Sequence, residues 1–515
     1  MPTTSAATTA TTAIPPPPAS ASFAAPVKSI PAASGDVPAV GLDGAYHAAA
    51  APSGEAARLA ARAMLVPIYE RPTPTSKAIG WLRAGAQVVL KSKDPAGTSE
   101  CPEGFRAVEP AGFVCIGDKA TLDLSDPIVR GTSRRPDFSQ KLPYIYGTAT
   151  RGGPVYGQIP SAADIIKSEP GFDKHIAKWK TDSESGATYG LDVWGKWQPA
   201  PLQPALEAFE EKRSDPDEAL PFYLRGGGRV PNLSGKAAGS DTKIDQIDRR
   251  QGAAFIDTFL AEGRRYNVST DLRLIPADRL RPIRGSDYHG VQIGTQVKFP
   301  FALVRRPGGK RFAIEGRKLV DKAELPYRAA VQLTGKQRMF ASVLHYETAL
   351  GDWVSDRFAS RIDPAKRMPK WGKNGERWID VNLSKQVLVA YEGETAVYAT
   401  LVSTGEDGLS DEGAKATKKG IFRIHTKYVT TTMDSDTVGE EFELRDVPYV
   451  QYFEGGLALH GAYWHDRFGQ PKSHGCINLA PEDARRLFFW TEPQVPPAWH
   501  GTARPLTGTV VFIHP

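Results

Sequence analysis

The sequence predicts a mainly β, multidomain protein. Its 515 residues correspond to about three domains of ordinary size. Short apolar runs alternate with Gly, Pro, Asp and Ser over much of the chain, which is typical of short strands joined by turns. In the last third of the chain one short helix is indicated after Pro481, with an apolar face and an end near Pro493.

The composition excludes several classes of protein. Hydrophobic residues make up 41% of the chain and charged residues 24%, which excludes a wholly disordered or fibrous chain. There is no run of about 20 apolar residues, so no membrane-spanning helix is predicted. The net charge of +6 is too small for this length to indicate nucleic-acid binding.

The charge is unevenly distributed along the chain. Residues 376–515 carry 13 Lys and Arg against 19 Asp and Glu, a net charge of −6, which leaves +12 for residues 1–375. The basic part is interpreted either as solvated surface or as a contact for an anionic polymer such as a cell-wall glycan.

The N-terminal residues 1–58 are predicted to be a disordered tether. The segment 1–41 is rich in Ala, Thr, Pro and Ser and has one basic residue, Lys28. Such a composition cannot bury enough apolar surface to offset the entropy of ordering. It also lacks a charged start followed by an apolar core, so a signal sequence is not visible.

Residues 59–137 contain the densest series of short apolar runs. The order 66–69, 79–86, 104–105 and 112–115 resembles a bacterial SH3-like (SH3b) domain, which implies a small β-barrel. Cell-wall glycan binding and a purely structural spacer are both open as its role.

Two of the three cysteines lie in this segment. Cys101 and Cys115 are 14 residues apart, whereas Cys476 stands alone. The pair predicts either a local disulfide or part of a zinc site. Zinc needs about four ligands, and no further Cys or His lies nearby, so the disulfide is favoured. A disulfide in turn indicates an oxidising, extracytoplasmic location.

Residues 138–298 are predicted to be an α+β region of unknown role. Helical periodicity appears at 203–212 and 251–263, whereas 272–276 and 291–294 have the composition of strands. In residues 299–375 apolar and polar positions first alternate, which predicts a second small β unit. The end of this range, from about residue 364, is polar and predicts a linker.

Residues 376–515 are predicted to be a β domain that carries the chemistry. Three histidines and the lone cysteine fall within 17 residues, in a chain with ten histidines: His460, His465, His474 and Cys476. One interpretation is a Cys/His nucleophile and the other a metal site. Gly475 favours the nucleophile, because glycine allows a tight turn that presents the thiol beside converging N–H groups. His465 is interpreted as a surface residue.

The spacing of these residues resembles a known family. His460-Gly461 followed by Ser473-His474-Gly475-Cys476-Ile477-Asn478 is similar to the L,D-transpeptidase (YkuD-type) catalytic domain, and the resemblance covers residues 376–515. It implies a β-sandwich with one short helix. It also implies cell-wall peptidoglycan stem peptides as substrate, with no metal and no cofactor.

The resemblance also implies roles for individual residues. Cys476 would be the nucleophile and His460 its general base, forming a thiolate–imidazolium pair, with a lowered thiol pKa. The carbonyl of Gly461 would orient the His460 ring. The loop formed by Ser473, His474, Gly475 and Cys476 would supply backbone N–H groups of Gly475 and Cys476 to the oxyanion.

Three residues are expected to contact substrate. Asn478 stands where many members of the family have Arg, and Trp464 and Tyr452 would line the groove. Aromatic side chains at such positions also commonly belong to a core.

The implied reaction is acyl transfer. Cys476 would attack the third residue of a tetrapeptide stem, release D-Ala and pass the acyl group to an amine of another stem, giving a 3→3 cross-link, or to a protein. Acylation by carbapenem-type β-lactams is implied as well. The alternatives are an L,D-carboxypeptidase or another cysteine amidase on wall peptides, and a noncatalytic wall-binding scaffold.

Overall fold

The computed structural model describes residues 39–47, 56–181, 220–233, 241–410, 413, 415–435 and 442–515. The mainly β, multidomain fold predicted from the sequence is confirmed: strands dominate and helices are few and short. None of the helices in these ranges has the length and apolarity needed to cross a membrane.

The first described segment is a small hairpin of β1 (Ala39–Val40) and β2 (Tyr46–His47). It lies within the stretch 1–58 for which disorder is expected; residues 1–38 and 48–55 are outside the described ranges. Two arginines of a distant helix hold its backbone, since Arg486 Nη1 donates to Leu42 O at 3.0 Å and Arg485 Nη2 to Gly44 O at 2.9 Å. A tertiary contact therefore orders residues that their composition alone would leave disordered.

The N-terminal β unit follows. Its elements are β3 (Arg58–Ala61), β4 (Val66–Tyr69), β5 (Ala78–Leu82), β6 (Gln87–Val89), β7 (Phe105–Ala107), β8 (Phe113–Cys115), β9 (Ala120–Thr121) and helix α1 (Pro127–Gly131). The strands form two layers, β6-β3-β9 and β5-β4-β8-β7. The Sγ atoms of Cys101 and Cys115 are 2.06 Å apart, a disulfide that joins the end of β8 to the loop between β6 and β7.

The middle region combines strands with short helices. Its elements are β10 (Ile145–Ala149), β11 (Gly153–Tyr156), α2 (Ala162–Ser168), α3 (Phe172–Thr181), a 3-10 helix Phe222–Gly227, β12 (Lys243–Ile247), β13 (Gly252–Ala261), β14 (Arg264–Ser269), β15 (Leu274–Pro276), a 3-10 turn Ala277–Arg279, β16 (Leu280–Ile283) and β17 (Val291–Gln292). The helix predicted at 251–263 is wrong, because that stretch is the buried strand β13. The helix predicted at 203–212 lies outside the described residues.

A seven-stranded sheet occupies most of residues 299–375. Its strands are β18 (Phe301–Val304), β19 (Gly309–Glu315), β20 (Lys318–Leu325), β21 (Ala330–Phe340), β22 (Val343–Thr348), β23 (Trp353–Ser355) and β24 (Ala359–Ile362). The stretch predicted as a linker contains a helical turn, α4 (Lys370–Lys373). Trp371 in this turn packs edge-on against Trp378, with ring centroids 6.3 Å apart, which explains why the segment is structured.

The C-terminal domain is built from two sheets and one helix. Its elements are β25 (Arg377–Asn382), β26 (Val387–Glu392), β27 (Thr395–Leu401), β28 (Gly420–Arg423), β29 (Thr426–Ser435), β30 (Phe442–Glu454), β31 (Leu457–Gly461), β32 (Ile477–Leu479), α5 (Pro481–Trp490), β33 (Gly501–Ala503) and β34 (Val510–His514). Strands β25–β28 and β34, with β17, form the first sheet, and β29–β33 belong to the second.

Helix α5 packs into the core between these two sheets. Pro481 begins the helix, and Glu482 and Asp483 in its first turn face the positive end of the helix dipole. Its apolar side chains Leu487 and Phe488 share one buried cluster with residues of both sheets.

The second sheet continues into the N-terminal regions instead of ending at the domain boundary. Strand β33 pairs with β5 of the N-terminal β unit, with Gly501 opposite Trp81, and β30 pairs with β13 of the middle region. Trp499 of the C-terminal domain also connects the two regions, because its side chain lies in the core of the N-terminal β unit. The predicted units are therefore joined through continuous strand pairing and a shared core.

Candidate active site

Two neighbouring strands bring the separated motif residues together. Strands β31 and β32 are parallel, with Leu459 opposite Ile477 and His460 opposite Asn478. Residues in register on parallel strands face the same side of a sheet, and alternate residues share that side. Cys476 comes directly before β32, so the turn that carries it leads into the strand that pairs with the strand of His460.

The loop before β32 is held in a tight turn. Ser473 Oγ donates to the carbonyl of Cys476 and accepts the N–H of Gly475 at 3.1 Å. Gly475 has φ of +114°, and a Cβ there would lie 2.9 Å from Ala416 O. Only glycine fits this position without displacing the neighbouring backbone.

The N–H of Gly475 is already used within this loop. It donates to Ser473 Oγ, so it does not project freely toward a substrate oxyanion as the sequence-based expectation requires. The role of this glycine in the structure is to shape the turn.

A neighbouring segment packs over the loop. Thr417 Oγ1 donates to Gly475 O at 2.8 Å and accepts the N–H of Gly405 at 2.8 Å. Lys472 and Lys415 both pair with Glu406, at 2.6 and 3.3 Å. These hydrogen bonds and ion pairs lower the pKa of the Glu406 carboxyl. Gly405, Glu406, Lys415 and Thr417 thus support the turn that carries Cys476.

His460 is a buried, neutral imidazole. Its Nδ1 lies 3.4 Å from Gly461 O, and its ring stacks on Trp464 with centroids 5.7 Å apart and planes 28° apart. Burial lowers the pKa of His460 to about 4. With Nδ1–H directed at Gly461 O, the lone pair of Nε2 is left to accept a proton.

Cys476 is a free, half-buried thiol. Its Sγ lies 3.8 Å from Gly456 O. Burial raises the pKa of Cys476 to about 11, and a hydrogen bond with the backbone of Ala458 offsets only part of that effect. Burial therefore acts against the expected lowering of the thiol pKa, and it favours the uncharged forms of both Cys476 and His460.

The remaining residues named from the sequence lie around this pair. Tyr452 is half-buried in β30, opposite Ala458. Burial raises the pKa of Tyr452, and the nearby Cys476 sulfur raises it further. Trp464 is half-buried against two apolar clusters. His474 is exposed at the tip of the turn.

His465 differs from the surface position expected for it. It is half-buried, its ring centroid lies 5.2 Å from that of Phe468, and its Nε2 is 2.9 Å from the side-chain amide of Asn478. Burial lowers the pKa of His465 to about 4. The contact closes a loop of 13 residues, and no local pattern in the sequence indicates it.

The arrangement provides a thiol, a neutral base and a shaped backbone turn. Within the described part of the chain, no three His, Cys, Asp or Glu side chains converge in a way that could hold a metal ion. A cysteine thiol, together with an imidazole whose lone pair can accept a proton, is suited to nucleophilic attack on a carbonyl carbon.

The residues of this site lie in a segment that matches one known protein family. Residues 376–513 match the family model of YkuD, the L,D-transpeptidase catalytic domain. Among curated proteins, none matches the chain.

Solved structures of L,D-transpeptidases are similar to part of the chain. A mutant of the Enterococcus faecium enzyme is 23% identical, with 27% of this chain and 50% of that one covered and a TM-score of 0.21. The Mycobacterium smegmatis enzyme is 18% identical, with 35% and 77% covered and a TM-score of 0.22. L,D-transpeptidase 3 from Mycobacterium tuberculosis, in complex with a faropenem-derived adduct, is 18% identical, with 36% and 78% covered and a TM-score of 0.22.

The chain thus spans half the length of the Enterococcus faecium protein. The part of it that matches a known family model is residues 376–513.

Proposed function

We propose that residues 376–515 catalyse L,D-transpeptidation of peptidoglycan through an acyl-enzyme on Cys476. The observation that carries this proposal is the pairing of β31, which contains His460, with β32, which begins directly after Cys476, within the segment that matches the family model. The substrate is a tetrapeptide stem, and the acceptor is an amine.

In the first half-reaction Cys476 Sγ attacks the carbonyl carbon of the third stem residue. The thiol proton passes to His460 Nε2 as the S–C bond forms, because neither group is ionised beforehand. The C–N bond to D-Ala then breaks, and His460 returns the proton to the leaving amine. The product is a thioester with the sulfur of Cys476.

In the second half-reaction an acceptor amine attacks the thioester carbon. His460 takes the proton of the amine, a new amide C–N bond forms, and the C–S bond breaks. The proton then returns to Cys476 Sγ. An amine of a second stem gives a 3→3 cross-link, an amine of a protein attaches that protein, and water gives carboxypeptidase activity.

An extracytoplasmic location fits this proposal, since peptidoglycan lies outside the cytoplasm. The disulfide between Cys101 and Cys115 supports an oxidising compartment. We further propose that carbapenem-type β-lactams acylate Cys476, because a thiol that forms a thioester with a stem peptide can also open a β-lactam ring.

The decisive experiment is incubation of the full chain with tetrapeptide muropeptides, followed by mass analysis. We expect dimers that have lost one D-Ala, together with free D-Ala. Trimmed monomers without dimers would identify a carboxypeptidase or amidase instead, and unchanged substrate would contradict an enzymatic role on these stems.

The neutral state of both groups predicts a distinctive pH dependence. The rate constant for alkylation of Cys476 by iodoacetamide should rise about tenfold for each pH unit from 7 to 10, since the reactive thiolate increases until the pH reaches the thiol pKa of about 11. The measurement is intact mass against time, with Cys476→Ala as the unreactive control. A plateau with a midpoint at or below pH 7 would instead reveal a preformed thiolate–imidazolium pair.

A further inference from the structure

Three aromatic side chains form a continuous row from the Cys476 sulfur to the N-terminal β unit. Tyr452 lies near Cys476, and both pack against one apolar cluster. Tyr428 meets Tyr452 edge-on, with ring centroids 6.3 Å apart, and Trp81 of β5 packs against Tyr428, with centroids 5.0 Å apart. We call Trp81, Tyr428 and Tyr452 the aromatic tract.

Strand pairing places Trp81 and Tyr428 on one side of the second sheet. Gly501 of β33 lies between them, directly opposite Trp81 on β5 and directly opposite Tyr428 on β29. Directly paired residues of antiparallel strands share a side of the sheet, so the two rings do as well. A Cβ at Gly501 would lie 2.5 Å from the Tyr428 ring. Glycine at this position therefore lets the two rings meet across the intervening strand.

Trp81 points away from the core of the N-terminal β unit. A Cβ at the adjacent Gly80 would lie 2.3 Å from the ring of Trp499, which belongs to that core. Successive residues of a strand point to opposite faces, so Trp81 is on the other face. Trp81 and Tyr452 are both half-buried. The two ends of the aromatic tract are therefore accessible to solvent.

We propose that Trp81 binds the sugar attached to the stem that acylates Cys476, the donor stem, while the stem itself extends along the aromatic tract. The inference rests on the proposed function and names a further part of its substrate site. It gives the N-terminal β unit a role other than a separate wall anchor or a spacer, because one of its side chains completes the site of the C-terminal domain.

The length of the aromatic tract matches the length of the donor stem. The path through the ring centroids from Tyr452 to Trp81 is at most about 11 Å long, since it joins distances of 6.3 and 5.0 Å. Cys476 attacks the third residue of the stem, and the sugar is attached to the first. Three extended residues span about 10–11 Å. A stem bound along the tract therefore brings its sugar to Trp81.

The indole ring of Trp81 has the chemistry that a sugar ring requires. One face of a pyranose presents mainly C–H groups, whose slight positive charge is attracted to the negative face of an aromatic ring. The contact also removes apolar surface of both rings from water. A donor that carries its sugar therefore gains affinity that a free peptide lacks.

The test compares disaccharide-tetrapeptide with free tetrapeptide as donors, for the wild-type chain and for Trp81→Leu. Leucine keeps an apolar contact with Tyr428 but removes the indole face. We expect KM for the disaccharide-tetrapeptide to rise about three- to tenfold, the scale of one aromatic contact, and KM for the free tetrapeptide to stay within about twofold. An unchanged KM for the disaccharide-tetrapeptide, or an equal rise for both donors, would overturn the proposal.

Trp353→Leu is the matched control, because Trp353 is also a half-buried strand tryptophan but lies on β23 of the seven-stranded sheet. It should leave both KM values unchanged. Trp81→Phe should restore most of the affinity for the disaccharide-tetrapeptide, because phenylalanine keeps an aromatic face. The ratio of the two KM values within one variant does not depend on how much of the protein is folded, so the comparison holds even if Trp81→Leu is less stable.

A binding measurement separates this inference from the proposed function. Isothermal titration of the full Cys476→Ala chain should give a lower Kd for disaccharide-tetrapeptide than for free tetrapeptide, and adding Trp81→Leu should abolish the difference. Such binding without any conversion by the wild-type chain would refute the proposed function and leave the sugar site standing. Conversion with equal affinity for the two donors would refute the sugar site alone.

Discussion

Replacing Cys476 by alanine should abolish acyl-enzyme formation and lower tetrapeptide turnover by about 10⁴-fold or more, the scale seen when a covalent nucleophile is removed. The other two cysteines are joined in a disulfide, so the variant has no free thiol that could substitute. Alanine is smaller than cysteine, and the half-buried position should tolerate it with little loss of stability.

Exposure to a carbapenem followed by intact-mass measurement gives the clearest readout. The wild-type protein should gain the mass of one β-lactam, and Cys476→Ala should gain none. Thermal unfolding of both proteins controls for folding. An adduct that persists in the alanine variant, or undiminished turnover, would show that another group is the nucleophile.

The second large effect concerns stability and centres on Asp446. This buried carboxylate pairs with Arg83 of the N-terminal β unit, and it accepts hydrogen bonds from Thr270 of the middle region at 2.5 Å and from Thr430 of β29 at 2.8 Å. One side chain therefore connects three of the regions predicted from the sequence. Asp446→Ala should lower the free energy of unfolding by about 3–5 kcal/mol, because it leaves the buried Arg83 without its counter-charge.

Urea unfolding with the exposed Asp94→Ala as the matched control would measure this effect. Asp446→Asn should be less damaging than alanine, since its one amide oxygen still accepts a hydrogen bond from one of the two threonines. Limited proteolysis of Asp446→Ala should release the N-terminal β unit sooner than in the wild type. Stability equal to that of Asp94→Ala would mean that the Arg83–Asp446 pair is not needed to join the regions.

The pKa of Asp446 gives the same pair a pH dependence. Arg83 and the hydrogen bonds hold the pKa of this carboxyl below its usual range despite burial. A lowered folded-state pKa means that the stabilisation is present at neutral pH and is lost as the pH falls below about 4. Wild-type protein should accordingly lose more stability in acid than Asp446→Asn does.

The fold was predictable where local pattern and tertiary environment agree. Helix α5 was visible in the sequence because Pro481 and two acidic residues mark its start and its apolar face is periodic. Strand β13 was not, because its first eight residues are all buried. A stretch that is buried on both faces lacks the alternation that distinguishes a strand from a buried helix.

The candidate site was predictable to a similar extent. The spacing from His460 to the turn containing Cys476 indicated the chemistry, and the glycine at 475 indicated the turn. The charge states were not accessible, because a pKa depends on burial, which the sequence does not contain. His465 was misinterpreted for a related reason, since its partner Asn478 is reached only when the loop between them closes.

The sequence by itself determined three features: a mainly β chain, a pair of cysteines at disulfide spacing, and a Cys/His motif in about the last 140 residues. All three follow from local chemistry and periodicity. Only the tertiary structure decided that β33 joins β5 across the domain boundary, that Asp446 connects three regions, and that burial favours the uncharged forms of the Cys476 thiol and the His460 ring. Strand pairing between distant segments and the desolvation of ionisable groups are properties of the packed chain. They arise from contacts between residues hundreds of positions apart, which no local pattern encodes.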